Sequence, residues 1–161
     1  MTPEVKPRPP GLDSPWVPRA LKLMARTQVW LFRKTGGRIG SKWRVGAGLR
    51  KPVQTLLLDH RGRKSGREFT TPLLYLDHGA DVVIVASQGG LPEHPQWYRN
   101  LMASPDTTVQ IRREVRKVRA RVADPEERTK LWPLLDELYA DFASYRSWTD
   151  REIPIVILEP R

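Results

Sequence analysis

VQTLLLDHRGRKSGREFTTPLLYLDHGADVVIVASQGGLPEHPQWYRN, residues Val53–Asn100, decides the fold. It holds three runs rich in Val, Leu and Ile: Val53–Asp59, Phe69–Leu76 and Val82–Ser87. Each is short and bounded by Gly, Pro or Asp, which predicts strands and not helices. The first two are joined by HRGRKSGRE (His60–Glu68), and the third is followed by QGGLPEHPQWYRN (Gln88–Asn100). Both connections are rich in hydrogen-bond donors and in glycine, so the three strands carry a rim suited to an anion.

Around that stretch the chain has 161 residues, enough for one domain with its own core. It has no cysteine, which excludes disulfides and thiolate metal sites. No apolar run approaches the ~20 residues of a spanning helix, and the opening MTPEVKPRPPGLDSP lacks the apolar core of a signal peptide. The expected location is cytoplasmic. The net charge of +10 suggests nucleic acid until its distribution is considered. Residues 1–51 hold 12 Lys and Arg against 2 Asp and Glu, while residues 52–161 hold 16 of each. The excess belongs to a basic N-terminal segment, and the remainder is a neutral domain, so no nucleic-acid partner is expected.

Within the basic segment, the proline-rich Met1–Pro15 predicts disorder or loose attachment. A helix is predicted over Pro18–Phe32. At 100° per residue, Arg19, Lys22, Arg26 and Arg33 share one sector, and Ala20, Leu21, Met24, Leu31 and Phe32 lie opposite. Two readings follow: a helix packed on the domain with a solvated basic face, or an interfacial helix on anionic lipid with Trp30 near the headgroups. The glycine-rich Thr35–Gly48 reads as a flexible or closely packed linker.

Beyond the central stretch, Tyr98–Ser104 predicts a short helix stopped by Pro105. Thr107–Val122 predicts a hairpin turning near Arg112–Glu114, with Val109, Ile111, Val115, Val118 and Val122 on its buried face. Its basic residues carry no interleaved aromatics to stack a base, and they read as a solvated face. Asp124-Pro125-Glu126-Glu127 starts a helix, whose apolar side holds Leu131, Trp132, Leu134, Leu135, Leu138 and Tyr139. Tyr139, Phe142 and Tyr145 recur at i, i+3 and i+6, along one helical stripe. Two hydroxyls on such a stripe suit a cleft wall as well as a core. Ile153–Glu159 is a last strand. Strands neighbouring in sequence with scattered helices predict an α+β fold built on an antiparallel sheet or barrel.

Few residues offer chemistry of their own. GRKSGRE does not fit a phosphate loop of the form GxxxxGK[ST], which needs Gly where Leu57 stands and Lys where Arg63 stands. Gly62 and Gly66 still permit a tight turn, and Arg63, Lys64 and Ser65 offer donors to an anion. Ser87-Gln88-Gly89-Gly90 offers a second donor loop. His60, His78 and His94 lack metal-ligand spacing, His94 between prolines reads as structural, and no GxSxG elbow is present. No metal is expected. An enzyme with so few acid and base groups needs a cofactor for its chemistry.

GRKSG, TPLLYL, VIVAS-GG-PEHPQWYRNL and DREIPIVILEP together resemble the deazaflavin-dependent nitroreductase family of actinobacteria over roughly Val53–Pro160. The resemblance implies a split β-barrel of the flavin-reductase and PNP-oxidase type with peripheral helices. It implies coenzyme F420 as hydride donor to a quinone or nitroaromatic acceptor. By position in the motifs, Arg63, Lys64 and Ser65 hold the coenzyme phosphate and tail. Phe69, Thr70, Thr71, Pro72, Leu73 and Leu74 line the deazaflavin, as do Val85, Ala86, Ser87 and Gln88. Gln96, Trp97, Tyr98, Arg99 and Asn100 complete the site. Tyr139, Phe142 and Tyr145 cover the ring and the acceptor, with Ser87, Tyr139 and Tyr145 as the catalytic hydrogen-bonding groups. Two positions depart from the family: Gln88 stands where a lysine is usual, and Phe142 where a tyrosine is frequent. The alternatives are an FMN-binding reductase or oxidase of the same fold, or a barrel that binds a lipid or cofactor without catalysis. The basic helix implies peripheral contact with the cell membrane, and a homo-oligomer is compatible with the resemblance.

Overall fold

The computed structural model describes residues 5–11, 14–44 and 46–161. Its strands are β1 (Lys42–Trp43), β2 (Val53–Arg61), β3 (Glu68–Leu74), β4 (Leu76–His78), β5 (Asp81–Val85), β6 (Asp106–Ile111), β7 (Glu114–Val122) and β8 (Ile155–Pro160). The helices are α1 (Trp16–Thr35), α2 (Gln96–Ala103), α3 (Pro125–Leu138) and α4 (Asp141–Ser147). All pairings are antiparallel in the order β1-β2-β6-β7-β8-β5-β4, with β3 also on β2. This is the expected α+β split barrel.

Strand alternation divides the core in two. Along β5 and β8, Val82, Ile84, Val156 and Leu158 face the barrel interior, where α2 inserts Trp97 and Leu101 one turn apart. Val83, Val85, Ile155 and Ile157 face the other way, against Leu131 and Leu135 of α3 and Phe142 of α4. Helix α3 starts as its sequence predicts. Asp124 Oδ1 accepts from Glu127 N at 2.8 Å, and Glu127 Oε2 accepts from Asp124 N at 3.0 Å.

Several expectations are corrected. The run Phe69–Leu76 is two strands, because it serves two partners: β3 pairs with β2, the chain bends at buried Tyr75, and β4 pairs with β5. In the β6–β7 hairpin the two-residue turn sets Val109 opposite Arg116 and Ile111 opposite Glu114. That register turns Val115 outward, 64% exposed, where an inward residue was expected. Leu134 is likewise turned outward on α3, at 41%. The aromatic stripe is not one helix: Tyr139 is extended (φ −147°, ψ 99°) between α3 and α4.

The N-terminal segment also differs. Lys6 N donates to Ser144 Oγ at 2.9 Å, Lys6 Nζ pairs with Asp141 at 3.0 Å, and Trp148 Nε1 donates to Lys6 O at 2.7 Å, so this part is tied to α4. The expectation of loose attachment at residues 1–4, 12 and 13 lies outside the described residues. In α1, Phe32 is fully buried, but Leu21 and Met24 are exposed, because the inward face turns through Ala25, Gln28 and Val29. Arg33 fastens the helix to the sheet at Asp59 and Thr70, both at 2.9 Å, and Gln28 Nε2 donates to Gly40 O at 2.7 Å. The glycine-rich stretch after it is packed: Gly36 ends α1 in the left-handed region (φ 58°), and β1 pairs with β2.

Candidate active site

Two cavities meet along β3. The larger, about 860 Å³, is bounded by the β2–β3 loop (Gly62, Arg63, Lys64, Ser65), by Phe69, Thr70 and Thr71 of β3, and by Gln88. Gln96, Trp97, Arg99 and Asn100 of α2 form one wall, and Leu21, Lys22, Ala25 and Arg26 of α1 another. The smaller, about 180 Å³, begins at the next β3 residues, Pro72, Leu73 and Leu74, and is closed by Val85, Ser87, Gly89, Tyr139, Phe142 and Tyr145, with Trp43 and Thr55. Consecutive residues of β3 line one cavity and then the other, and Gln88 of the first stands between Ser87 and Gly89 of the second, so the two cavities are neighbours.

The first cavity is cationic by composition. Lys22, Arg26, Arg63, Lys64 and Arg99 line it, and no carboxylate does. Arg63 is positioned by a buried relay. Its backbone N–H donates to Asn100 Oδ1 at 3.1 Å, and its Nη1 reaches Gln96 Oε1 at 2.8 Å and Asn100 Oδ1 at 3.2 Å. Asn100 Nδ2 donates to His60 Nδ1 at 3.0 Å, which leaves His60 Nε2 to carry the ring proton and donate to Thr71 Oγ1 at 2.9 Å. Burial lowers the His60 pKa, more than Asp59 nearby raises it, so the ring stays neutral and accepts from Asn100.

The second cavity is aromatic, with hydroxyls aligned in it. Tyr139 and Phe142 pack edge to face at 5.1 Å, and Tyr145 lies 6.2 Å from Tyr139. Trp43 Nε1 donates to the Tyr139 hydroxyl at 3.4 Å, which lies 3.3 Å from the Tyr145 hydroxyl. Burial is the main cause that raises both tyrosine pKa values, so the phenols stay protonated at any physiological pH. The Ser87 loop is held from behind by Arg151, whose guanidinium donates to Ala86 O at 3.2 Å, Ser87 O at 2.7 Å and Leu91 O at 2.9 Å, and contacts His94 Nδ1 at 3.1 Å. Gly90 is required there: a Cβ would lie 2.7 Å from Tyr145 O.

Of the residues singled out in the sequence, all line this cleft except Ala86, which is buried in the barrel core, and Tyr98, which packs 5.0 Å from His94. Sequence reasoning missed His60, Lys22, Arg26, Trp43, Thr55 and Arg151. His60 was readable, since it shares strand parity with the inward Leu56 and Leu58. Trp43 sits in a glycine-rich stretch that gives no such signal. Among the described residues no cluster of His, Asp or Glu could hold a metal.

A split barrel with a cationic groove beside an aromatic pocket suits a coenzyme-dependent oxidoreductase. The model of the F420H(2)-dependent quinone reductase family matches residues 23–160, and the chain belongs to that family. The Mycobacterium tuberculosis protein Rv3178, assigned as an F420H(2)-dependent quinone reductase, is 57% identical over 118 residues, 73% of this chain and 99% of that protein. The solved F420-H2 dependent reductase FDR-A is 39% identical with a TM-score of 0.61, covering 65% of this chain and 93% of its own. A chain solved as a domain-swapped dimer is 32% identical with a TM-score of 0.64, covering 88% of this chain and 99% of its own. The coenzyme of the family is F420, and the residues present fit it. A groove lined by five cations and no carboxylate suits its phosphate and glutamate tail, and the adjoining apolar strand face suits a flat ring.

Proposed function

We propose that this chain catalyses reduction of a quinone by reduced coenzyme F420, with nitroaromatics as a second acceptor class. The observation that carries the reading is a cationic groove, with no carboxylate among its described lining residues, beside a tyrosine-lined pocket along one strand. When bound, reduced F420 supplies a hydride from its deazaflavin C5, which with one further proton converts the quinone to a hydroquinone.

The chain's own residues position the partners and exclude water. Arg63, Lys64 and Ser65 hold the phosphate and tail, with Arg63 aimed by Asn100. The β3 residues Phe69–Leu74, with Val85–Gln88 and the α2 residues Gln96–Asn100, flank the ring. In the aromatic pocket Trp43 donates to Tyr139, whose hydroxyl lies 3.3 Å from that of Tyr145; either phenol can donate to the other, and we assign to Tyr145 the proton given to a carbonyl oxygen of the acceptor. Ser87 is the second donor. Residues 52–161 supply strands β2 to β8, and residues 1–51 supply β1 with Trp43 and α1, the helix as a wall and a surface contact.

That contact is with the membrane, where hydrophobic quinones are dissolved. Trp16, Leu23 and Trp30 recur at i, i+7 and i+14 on the outward face of α1, 74%, 67% and 59% exposed. Arg19 and Lys34 flank them. No helix among the described residues is long and apolar enough to cross a membrane, so the contact is peripheral. The relative solved as a domain-swapped dimer makes a homodimer the assembly to test first, by light scattering.

Steady-state oxidation of reduced F420 by a water-soluble quinone tests the reading. Tyr145→Phe lowers kcat/KM about tenfold, one hydrogen bond of about 1.4 kcal/mol, while F420 affinity stays within about twofold. A wild-type protein that binds FMN and not F420, or that binds F420 without oxidising it, refutes the proposal.

A further inference from the structure

Helix α1 carries two cations, Lys22 and Arg26, that line a cavity in which no carboxylate of the described residues meets them. Several arginines elsewhere are neutralised locally: Arg116 by Glu114, Arg119 by Asp106, Arg121 by Glu127 and Glu159, and Arg146 by Asp136. Arg33, at the end of α1 that touches the sheet, is paired with Asp59. Lys22 and Arg26, one turn apart on the same helix, make no ion pair among the described residues, and both line the 860 Å³ groove. Lys64 lies on the same cavity, also without a carboxylate partner. Arg63 is taken up by Gln96 and Asn100, and Arg99 lies 3.6 Å from Glu93. Gln88, which lines the same groove, is neutral.

Like charges gathered around one cavity repel one another, and a ligand with several negative charges relieves this more fully than single counterions do. The placement of Lys22 and Arg26 also separates them from the outward stripe of Trp16, Leu23 and Trp30, since at 100° per residue they fall on the flank turned to β3. We infer that Lys22 and Arg26, together with Lys64, bind the carboxylates of the coenzyme's glutamate tail, so that α1 is a wall of the coenzyme site and supplies the cations that position 88 does not. This rests on the F420 reading above. The anchoring of α1 by Arg33 and Gln28 holds both cations in place before the ligand arrives, which lowers the ordering cost of binding.

The test is fluorescence titration of the full chain with F420 and with the deazaflavin chromophore lacking phosphate and glutamates, at about 0.02 M and about 0.3 M salt. The variants are Lys22→Gln/Arg26→Gln and Lys22→Glu/Arg26→Glu, both at exposed positions, with thermal unfolding as the check on folding. The neutral pair weakens F420 binding about tenfold at low salt and flattens its salt dependence, and the acidic pair weakens it further. The chromophore's affinity moves less than about twofold in either. F420 affinity unchanged in both variants overturns the inference and leaves the F420 reading standing. So does loss of adsorption to phosphatidylglycerol vesicles with F420 affinity intact, which would assign the two cations to lipid. A wild-type chain that binds the chromophore but not F420 more tightly also overturns it. A wild type that binds neither overturns the F420 reading and this inference with it.

Discussion

Gly89 and Gly90 form a matched pair of probes for the contact between the Ser87 loop and α4. Both lie in the left-handed region, at φ 61° and 74°. A Cβ at Gly89 meets nothing within 4 Å, whereas one at Gly90 lies 2.7 Å from Tyr145 O and 3.1 Å from Tyr145 Cα. Alanine at either position pays the backbone penalty of about 1–2 kcal/mol, less about 0.4–1 kcal/mol gained from a stiffer unfolded chain. Gly89→Ala therefore costs about 1 kcal/mol. Gly90→Ala adds overpacking of about 1–3 kcal/mol, because the obstacle is backbone and can yield only if α4 moves away from the loop. The expected total is about 2–4 kcal/mol. Urea unfolding of the two variants in parallel measures the difference, and at about 2–4 °C per kcal/mol it is visible in Tm as well. Because the displaced residue is Tyr145, Gly90→Ala also depresses quinone turnover, and Gly89→Ala does so far less. Equal destabilisation by the two substitutions refutes the packing argument.

Asn100→Ala leaves the Arg63 N–H and His60 Nδ1 without their partners at a site 5% exposed, a loss of about 2–4 kcal/mol in stability. F420 binding weakens with it; a variant of normal stability and affinity removes the relay from the site. Stability also depends on pH through His60 and His94, both with pKa lowered first by burial. The unfolded chain takes up protons on these rings before the folded chain does, so unfolding free energy falls as pH drops below about 6.5. His60→Gln shrinks that slope in denaturation at pH 7.5 and 5.0, and a wild-type curve flat across the window refutes the assignment. Glu127, its pKa held at about 2 mainly by Arg121, stabilises fully above the usual glutamate range, so it adds to the pH slope only below that range, where its share is lost as pH falls.

Much of the sheet was legible because β2, β5 and β8 are buried on both faces and so read as short continuous apolar runs. The strands β2, β5, β6 and β8 emerge from Val, Leu and Ile runs, and α3 announces itself through Asp124 and Glu127. Register inside the β6–β7 hairpin was not, since the number of residues in the turn, and not the hydrophobic pattern, puts Arg116 opposite Val109. The donor loops of the cleft were visible as residue types. Periodicity places Lys22, Arg26 and Arg33 on one side of α1, but it carries no information about what that side meets, and the meeting with the groove is a tertiary fact.

The departures from local expectation gather at one place. Leu74, the last residue of β3 before the chain bends at Tyr75, lines the aromatic pocket, and so does Tyr139, where a continuous helix was expected and the backbone is extended. Ser87 and Gly89 flank Gln88, a non-glycine residue at φ 46° that costs about 1–2 kcal/mol. Trp43 reaches the same pocket from the glycine-rich stretch after α1. Each irregularity alone would be a small defect, tolerated because Arg151, Phe142 and the barrel core hold it. Together they bring a strand end, a helix break, a left-handed loop and a tryptophan onto a space of about 180 Å³ that no regular element could enclose. Local rules give way where a fold is selected for its ligand, and here they give way around the pocket lined by Tyr139 and Tyr145.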